Sequence, residues 1–449
     1  MDLETDLQNA MFAIQHRPDD DGPRLKYAAL IAATDPAYAE FIVLHCAMWA
    51  RTASSDDEAR LMAVWEENHE RWRQPFGALA DSIRFSRGFV DEVHTSVLNL
   101  VSTRGLDLQP IRQVTLEQAP HGALAGPVVQ LLDRIEKLKL QDSSGAAEWL
   151  EFFLQDPTKM SRLKTLEFFD PLDCRSLTRR LSWAPDRCLT HLAFVGLEQT
   201  DFDDECAANL CRHASMSTLR SLILWNCNLR AAGAAALATG NFGDLQVLKL
   251  GLGQHTHNAV GVEGAKSLAA SAPLRGLEEI DLDFNHIGDD GLLAWLDGKR
   301  ALQRLRLRAN DLSDASLLAL AKSDWFGALR VLDLTSNPLS PRVAEAMLAR
   351  SDFQLHSWSL AGTDDAAACA RAIAASERSS SLRVLYLPGG LDDDAALALA
   401  TSPHLPALQQ IWLTTSALSP ATVATLEKRW GDRLMTYNLS AAGIPWVKA

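Results

Sequence analysis

The chain has 449 residues and carries 43 Lys and Arg residues against 57 Asp and Glu residues, a formal net charge of −14. This acidic balance disfavours a protein that holds duplex nucleic acid on a broad basic surface. Hydrophobic residues make up 47% of the chain, which is enough to bury a core along its whole length and argues against a largely disordered protein.

The cysteines and the N-terminal segment indicate a cytoplasmic protein. The seven cysteines include no Cys-x-x-Cys pair, and their odd number does not suit a disulfide framework. The segment MDLETDLQNAMFAIQHRP is acidic and amphipathic, unlike a secretory signal. No apolar run approaches the ~20 residues that a membrane-spanning helix needs, so we expect no membrane association.

Residues 1–100 predict a helical N-terminal domain. Helix-breaking residues at 18–23 and at Asp35-Pro36 divide the first 49 residues into three helices. The segment SSDDEARLMAVWEENHERWRQPF predicts a fourth helix, because its acidic start and basic end complement the helix dipole. The segment FSRGFVDEVHTSV then predicts a strand.

The rest of the chain, residues 101–449, is governed by an internal repeat. The template is L-x-x-L-x-L, and its first positions lie 25 to 32 residues apart. Those positions are Leu163, Leu189, Leu219, Leu245, Leu277, Leu302, Leu329, Leu355, Leu382, Leu408 and Leu434. Weaker units begin at Ile111 and Ile135. This period is typical of an array in which each unit is too small to bury its own apolar face.

The segment LEEIDLDFNHIGDDGLLAWL, which starts at Leu277, shows how one unit works. The alternation of its first residues predicts a short strand with Leu277, Ile280 and Leu282 turned inward, and the later spacing predicts an amphipathic helix. Asn285, at position nine, has a side chain that can bond the backbone of the turn. Position nine is again Cys or Asn at Cys227, Asn310 and Asn337, whereas this polar ladder is interrupted at Leu197, Gly253, Thr363, Gly390 and Ser416.

The clear units at 163–439 resemble the ribonuclease-inhibitor-like class of leucine-rich repeats, and the weak units of the same array start near residue 111. The resemblance implies an α/β solenoid shaped as a horseshoe. Its parallel strands would line the concave side and its helices the convex side.

The N-terminal segments RPDDDGPRLKYAALI, DPAYAEFIVLH and FSRGFVDEV resemble the repeat-companion domain, a helical module that precedes leucine-rich repeats in bacterial proteins. The matching residues are Pro18, Asp19, Asp20, Asp21, Pro23, Arg24, Leu25, Tyr27, Ala28, Glu40, Phe41, Ile42, Arg87, Gly88, Phe89 and Val90. The chain departs from the family at Ala29, Leu30 and Tyr38. The resemblance implies a helical cap and a bacterial origin, with no defined chemistry.

The motifs of common enzymes are missing from the sequence. It has no phosphate loop, no His-Glu-x-x-His and no Gly-x-Ser-x-Gly. His255 and His257 could share a metal in the loop at 251–264, but an ordinary solvated loop is the stronger interpretation. Cys206 and Cys211 lie five residues apart on a predicted helix and are better explained by packing than by zinc. We therefore expect no catalytic residues, no metal and no cofactor.

Strand positions between the inward leucines predict a charged and aromatic surface. Asp281 and Asp283 should lie beside Arg306 and Arg308, followed by Asp333, since neighbouring strands are ~4.8 Å apart. One interpretation is a charge ladder that satisfies itself. The other is a polarised patch that recognises a charged segment of a partner. Exposed aromatic residues are predicted on the same surface: Trp225, Phe284, Tyr386 and Trp412.

The sequence thus predicts a non-catalytic scaffold that binds a partner protein through the concave face of its repeats. The predicted contact residues are Trp225, Asp281, Asp283, Phe284, Arg304, Arg306, Arg308, Asp333, Tyr386 and Trp412. Two alternatives stay open. One is nucleic-acid binding by the arginine strand, and the other is an enzyme with a site in the cap or in the 251–264 loop.

Overall fold

A computed structural model describes residues 3–103, 105–118, 126–141, 145–183, 188–197, 200–251, 258–297, 302–362, 365–387 and 389–436. Contacts between residues divide the chain into two units, Met1–Thr200 (unit 1) and Asp201–Ala449 (unit 2).

Four helices open unit 1, as the sequence predicts. They are α1 (Leu3–His16), α2 (Gly22–Ile31), α3 (Pro36–Trp49) and α4 (Ser55–Arg73). The predicted breakers and caps explain their starts. Asp35 accepts a hydrogen bond from the backbone N–H of Tyr38, and Ser54 forms a capping box with Asp57.

The segment predicted as one strand is a hairpin. Strand β1 (Ile83–Ser86) pairs antiparallel with β2 (Phe89–Thr95). Arg87 and Gly88 form the turn, both with positive φ (49° and 87°). Two left-handed residues in succession are what a tight type I′ hairpin turn requires, and the sequence interpretation overlooked this signal.

The residues that carry the repeat-companion resemblance converge on this turn. The guanidinium group of Arg87 is buried, and its Nη1 donates to Asp21 Oδ1 at 3.2 Å. The hydroxyl of Tyr38 donates to the carbonyl of Gly88 at 2.7 Å. Phe89 joins Ile42 and other apolar residues of the helices in one core cluster. The hairpin and the helices therefore form one packed module.

Strands and helices alternate through the remainder of unit 1. The elements are α5 (Val97–Ser102), β3 (Gln113–Leu116), α6 (Gly126–Leu132), β4 (Lys137–Gln141), α7 (Ala146–Gln155), β5 (Thr165–Phe169), α8 (Cys174–Arg180) and β6 (His191–Val195). From β2 to β6 each strand pairs parallel with the next. Strands β3 and β4 begin two residues after Ile111 and Ile135, the first positions of the two weak repeats.

Unit 2 continues the same alternation. Its helices are α9 (Asp204–Cys211), α10 (Ala231–Ala238), α11 (Gly261–Ala270), α12 (Gly288–Leu296), α13 (Asp314–Lys322), α14 (Pro341–Leu348), α15 (Ala366–Ala375), α16 (Asp393–Thr401) and α17 (Pro420–Trp430). Its strands are β7 (Ser221–Trp225), β8 (Val247–Lys249), β9 (Glu279–Asp281), β10 (Arg304–Arg306), β11 (Val331–Asp333), β12 (Ser357–Ser359), β13 (Val384–Leu387), β14 (Gln410–Leu413) and β15 (Leu434–Thr436). These strands are parallel and pair in chain order. The predicted α/β repeat fold is confirmed.

Buried asparagines connect successive repeats of unit 2. The Oδ1 atom of Asn310 accepts from the backbone N–H groups of Asn285 and Ile287, at 3.2 and 3.3 Å. Its Nδ2 donates to the carbonyl of Leu282 at 2.7 Å. Asn337 makes the equivalent bonds to the turn that contains Asn310. The predicted polar ladder is therefore present at these positions.

One predicted interruption of this ladder is wrong. Gly253 lies outside the described residues, but Asn258 takes the place of position nine in that repeat. Its Oδ1 accepts from the N–H groups of Cys227 and Leu229, both at 2.9 Å. Its Nδ2 donates to Leu250 O at 2.7 Å. The expansion of this repeat moves the asparagine along the chain and preserves its role.

The loop predicted at 251–264 is shorter than expected, because helix α11 already begins at Gly261. His255 and His257 lie outside the described residues.

Cys206 is buried on α9, whereas Cys211 at its end is half-buried. In the described part of the chain, no helix is long and apolar enough to cross a membrane.

We predict that Gly88→Ala lowers the free energy of unfolding by about 2 kcal/mol or more. A Cβ at this position would lie 2.9 Å from the Cα of Ile42, and φ is +87°. Gly105→Ala is the matched control, since Gly105 has nearly the same φ (+84°) but has open space around it. Urea unfolding should show a clearly larger loss for Gly88→Ala. Equal losses would mean that backbone conformation alone, and not the close approach to α3, requires the glycine.

Candidate functional site

Alternate residues of the unit 2 strands share one side of the sheet, opposite the buried leucines. Arg306 is aligned with Asp281 on β9 and with Asp333 on β11. The same row continues through Ser359 on β12 to Tyr386 and Trp412 on β13 and β14. We call this side of the sheet the strand face. The predicted contact residues lie on it or directly after its strands.

Glu279 is the centre of the ion pairs on the strand face. Its carboxylate receives Lys249 Nζ at 2.9 Å and Arg304 Nε at 2.5 Å, and Arg306 Nε lies 4.0 Å away. Burial disfavours the charged form of Glu279, but the hydrogen bonds from Lys249 and Arg304 outweigh it and hold its pKa below the usual value. Part of the strand face is thus a self-compensated charge ladder.

The predicted set of contact residues did not contain Glu279 or Lys249. The signal that could have found them is the alternation of charge in neighbouring repeats, where Lys249, Glu279 and Arg304 follow one another across β8, β9 and β10. The sequence did not show which carboxylate would form ion pairs with the arginines.

Asp281 lies beside Arg306 in the register of β9 and β10, as predicted, but no ion pair joins Asp281 or Asp283 to Arg306 or Arg308 among the described residues. Instead, Asp281 Oδ1 accepts from the backbone N–H of Asp283 at 3.0 Å. Asp283 Oδ1 accepts from the backbone N–H of Arg308 at 2.8 Å. Both carboxylates therefore serve as backbone acceptors. Gly251 leaves room for them, because a Cβ there would overlap Asp281 Oδ1.

The surroundings of these two aspartates disfavour their charged forms. Burial raises the pKa of Asp281 to about 6. Burial also raises the pKa of Asp283 well above its usual value, and the nearby carboxylates of Asp281 and Asp333 add to this effect. Asp333 is buried as well, with Oδ1 accepting from the N–H of Thr335 at 2.9 Å. Asp281 and Asp333 thus lie beneath the surface of the predicted site, whereas Asp283 is half-buried.

Arg308 differs from the other two arginines of its repeat. Its guanidinium carbon lies 5.2 Å from the centre of the Phe284 ring. No carboxylate of the described residues lies at ion-pair distance from it. Phe284 has φ of +58°, a left-handed conformation that costs a bulky residue about 1–3 kcal/mol. The equivalent residues in the next two repeats, Ala309 and Ser336, are small.

The aromatic residues fall into separate groups. Tyr386 and Trp412 lie on adjacent strands, with ring centres 6.1 Å apart. The predicted exposure of Tyr386 is wrong, since it is only 6% exposed, whereas Trp412 and Phe284 are half-buried. Trp225 is half-buried on β7, three strands from β10. The structure therefore brings Phe284 to Arg308 and Tyr386 to Trp412, but leaves Trp225 apart from them.

No group of three or more His, Cys, Asp and Glu side chains suited to a metal ion occurs in the described part of the chain. The described residues therefore provide no candidate metal centre.

The match to a family profile agrees with the repeat architecture. The profile of the leucine-rich repeat family matches residues 276–294, which span β9 and most of α12. A search of curated proteins finds no match. The chain is similar to Rad7 in the crystal structure of the Rad7–Elc1 complex in yeast, with 14% identity, 86% of this chain and 90% of that chain covered, and a TM-score of 0.42. It is also similar to the internalin InlF of Listeria monocytogenes, with 13% identity, 83% and 94% covered, and a TM-score of 0.34.

We predict that Asp283→Asn stabilises the protein at pH 7.5 by about 1 kcal/mol. The folded-state pKa of Asp283 is raised. Its contribution to stability is therefore fully present below its unfolded pKa and is lost as the pH rises through its folded pKa. Asparagine keeps an oxygen to accept from Arg308 and removes the charge. Urea unfolding at pH 5.5 and 7.5 should show a smaller loss of stability between these pH values in the variant than in the wild type. An equal loss in both proteins would contradict the assignment of this pH dependence to Asp283.

Proposed function

We propose that this chain is a non-catalytic scaffold that binds a partner protein through the strand face of unit 2. The observation that carries the proposal is the Arg308–Phe284 pair. Arginine and aromatic side chains dominate the energetics of protein interfaces, and here an arginine without an acidic partner in the described structure stacks on an aromatic ring. Holding Phe284 in a left-handed conformation costs free energy, which favours a role other than stability.

The other predicted contact residues differ in exposure and therefore in the role that we propose for them. Trp412 and Arg306 offer partly exposed surface, whereas Asp281, Asp333 and Tyr386 support the neighbouring side chains from below. Arg304 is held by Glu279 and contributes mainly to the sheet itself.

The helical residues 1–100 are proposed to be a repeat-companion-like cap for the array of residues 101–449. Strand β2 pairs with β3, so that the hairpin continues the sheet of unit 1, and the helices pack against Phe89. Open ends of repeat arrays need such covering. The resemblance to bacterial modules and the seven free cysteines support a bacterial cytoplasmic protein.

The scaffold proposal predicts that a partner captured from native cell extract depends on the strand face. The variant Arg308→Glu/Trp412→Ala should reduce the recovery of that partner by about tenfold or more, since hot-spot residues each contribute roughly 2 kcal/mol. Quantitative mass spectrometry of material captured by immobilised protein is the measurement.

The matched control is Lys322→Glu/Leu293→Ala, which makes the same kind of changes on exposed positions of α13 and α12. Circular dichroism should show that both variants fold. A partner retained equally by the strand-face variant and the wild type would overturn the proposed site.

A further inference from the structure

A second row of side chains follows the first leucine of each repeat, where the chain enters the strands. Backbone hydrogen bonds of 2.7–2.8 Å connect its members, from Arg330 N to Gln303 O, His356 N to Arg330 O, Arg383 N to His356 O, and Gln409 N to Arg383 O. We call these five residues the amino-edge row. Each of the five has side-chain N–H groups that can donate and none is acidic, whereas Glu278 occupies the same position in the preceding repeat, beside Gln303.

The positive charges of this row are uncompensated within the described structure. Arg330, His356 and Arg383 have no carboxylate at ion-pair distance among the described residues. Arg383 is exposed, and the guanidinium of Arg330 bonds only the carbonyls of Gly327 and Leu329.

Unit 1 shows the contrast at the same position of its repeats. There Lys164 is paired with Glu136 at 3.0 Å. The chain as a whole has a charge of −14, so two arginines that flank a histidine, without an ion-pair partner among the described residues, are a local exception.

The pKa of His356 reflects its partial burial and the positive charge of the two arginines beside it. Partial burial, then the charges of Arg383 and Arg330, lower the pKa of its imidazole. These arginines face it from the adjacent strands. Asp352, four residues earlier, accepts from Nε and Nη2 of Arg350, both at 2.7 Å. An incoming anion would relieve the mutual repulsion of the row.

We propose that the amino-edge row binds an extended acidic segment of the partner protein through its carboxylates. This inference rests on the proposed function and names the chemistry of the partner. Neighbouring strands are ~4.8 Å apart, so Arg330 and Arg383 are separated by roughly 10 Å across β12. An extended peptide advances about 3.4 Å per residue, so two acidic residues three positions apart match that separation. Gln303 and Gln409 extend the row with neutral amide donors.

The same features disfavour a nucleic-acid ligand. A single strand is bound by aromatic side chains that stack on its bases, and the amino-edge row has none. The negative charge of the whole chain would also repel a long polyanion more than a short acidic segment.

The test is fluorescence anisotropy of the full chain with a labelled polyglutamate peptide, with polyglutamine and oligo-dT as comparison probes. The wild type should bind polyglutamate in preference to both. Arg383→Glu should weaken that binding by about tenfold, since it reverses one charge of a charge-assisted contact. Lys428→Glu, on an exposed position of α17, makes the same charge change and should leave binding unaltered. Absent binding, equal binding by Arg383→Glu, or preference for oligo-dT would each overturn the inference.

A pH series adds a readout that general charge effects would not give. Bound carboxylates favour the imidazolium form, so the affinity of the wild type should rise by about threefold to tenfold from pH 7.5 to 5.5, as a third positive charge appears on the row. His356→Gln should remove most of this rise. A rise of the same size in both proteins would contradict the assignment to His356.

The two proposals fail in different ways. If polyglutamate does not bind but partner capture still requires Arg308 and Trp412, only the acidic-segment inference is lost. If polyglutamate binds in an Arg383-dependent manner and capture ignores the strand face, the strand-face site is lost.

Discussion

The rest of unit 2 depends on the buried side-chain amides of Asn258, Asn285, Asn310 and Asn337. Each donates from Nδ2 to the carbonyl of the last inward leucine of the preceding strand, and each accepts at Oδ1 from the backbone of the preceding turn. A buried backbone group left without a partner costs roughly 1–3 kcal/mol. Shifting one repeat against the next would leave several such groups unsatisfied, so the ladder sets the register of the strands.

Because the register is set, side chains at equivalent positions of successive repeats lie next to one another, and their charges combine. Side chains at one position stack at the strand spacing of ~4.8 Å, so charges of like sign reinforce one another and charges of opposite sign cancel. On the strand face, Glu279 gathers Lys249 and Arg304 and cancels much of the charge. Along the amino-edge row, Arg330, His356 and Arg383 follow one another without a carboxylate between them. The same scaffold thus produces one surface whose charge is partly compensated and one edge whose arginines have no ion-pair partner among the described residues.

The fold was predictable because its signals are local. Leucine spacing identified the repeats, and prolines with acidic caps at residues such as Asp35 and Ser54 divided the N-terminal helices. The site was less predictable, because the partners of a side chain depend on how deeply it is buried and on how far it extends. Burial turned Asp281 toward a backbone N–H rather than toward Arg306, and it left Tyr386 beneath its neighbours. The expanded repeat displaced Asn258 from the expected position, which a fixed template could not anticipate.

Native-state hydrogen exchange of the backbone amides bonded to the asparagine ladder tests this account most directly. The amides of Leu229, Ile287 and Leu312 lie in turns, where exchange is usually fast, but each donates to a buried asparagine. They should exchange only through unfolding of unit 2, with protection equal to that of the strand amides, while the exposed turn residue Gly276 exchanges rapidly. Rapid exchange at all three ladder amides, under conditions where the strands stay protected, would contradict the claim that the ladder sets the register.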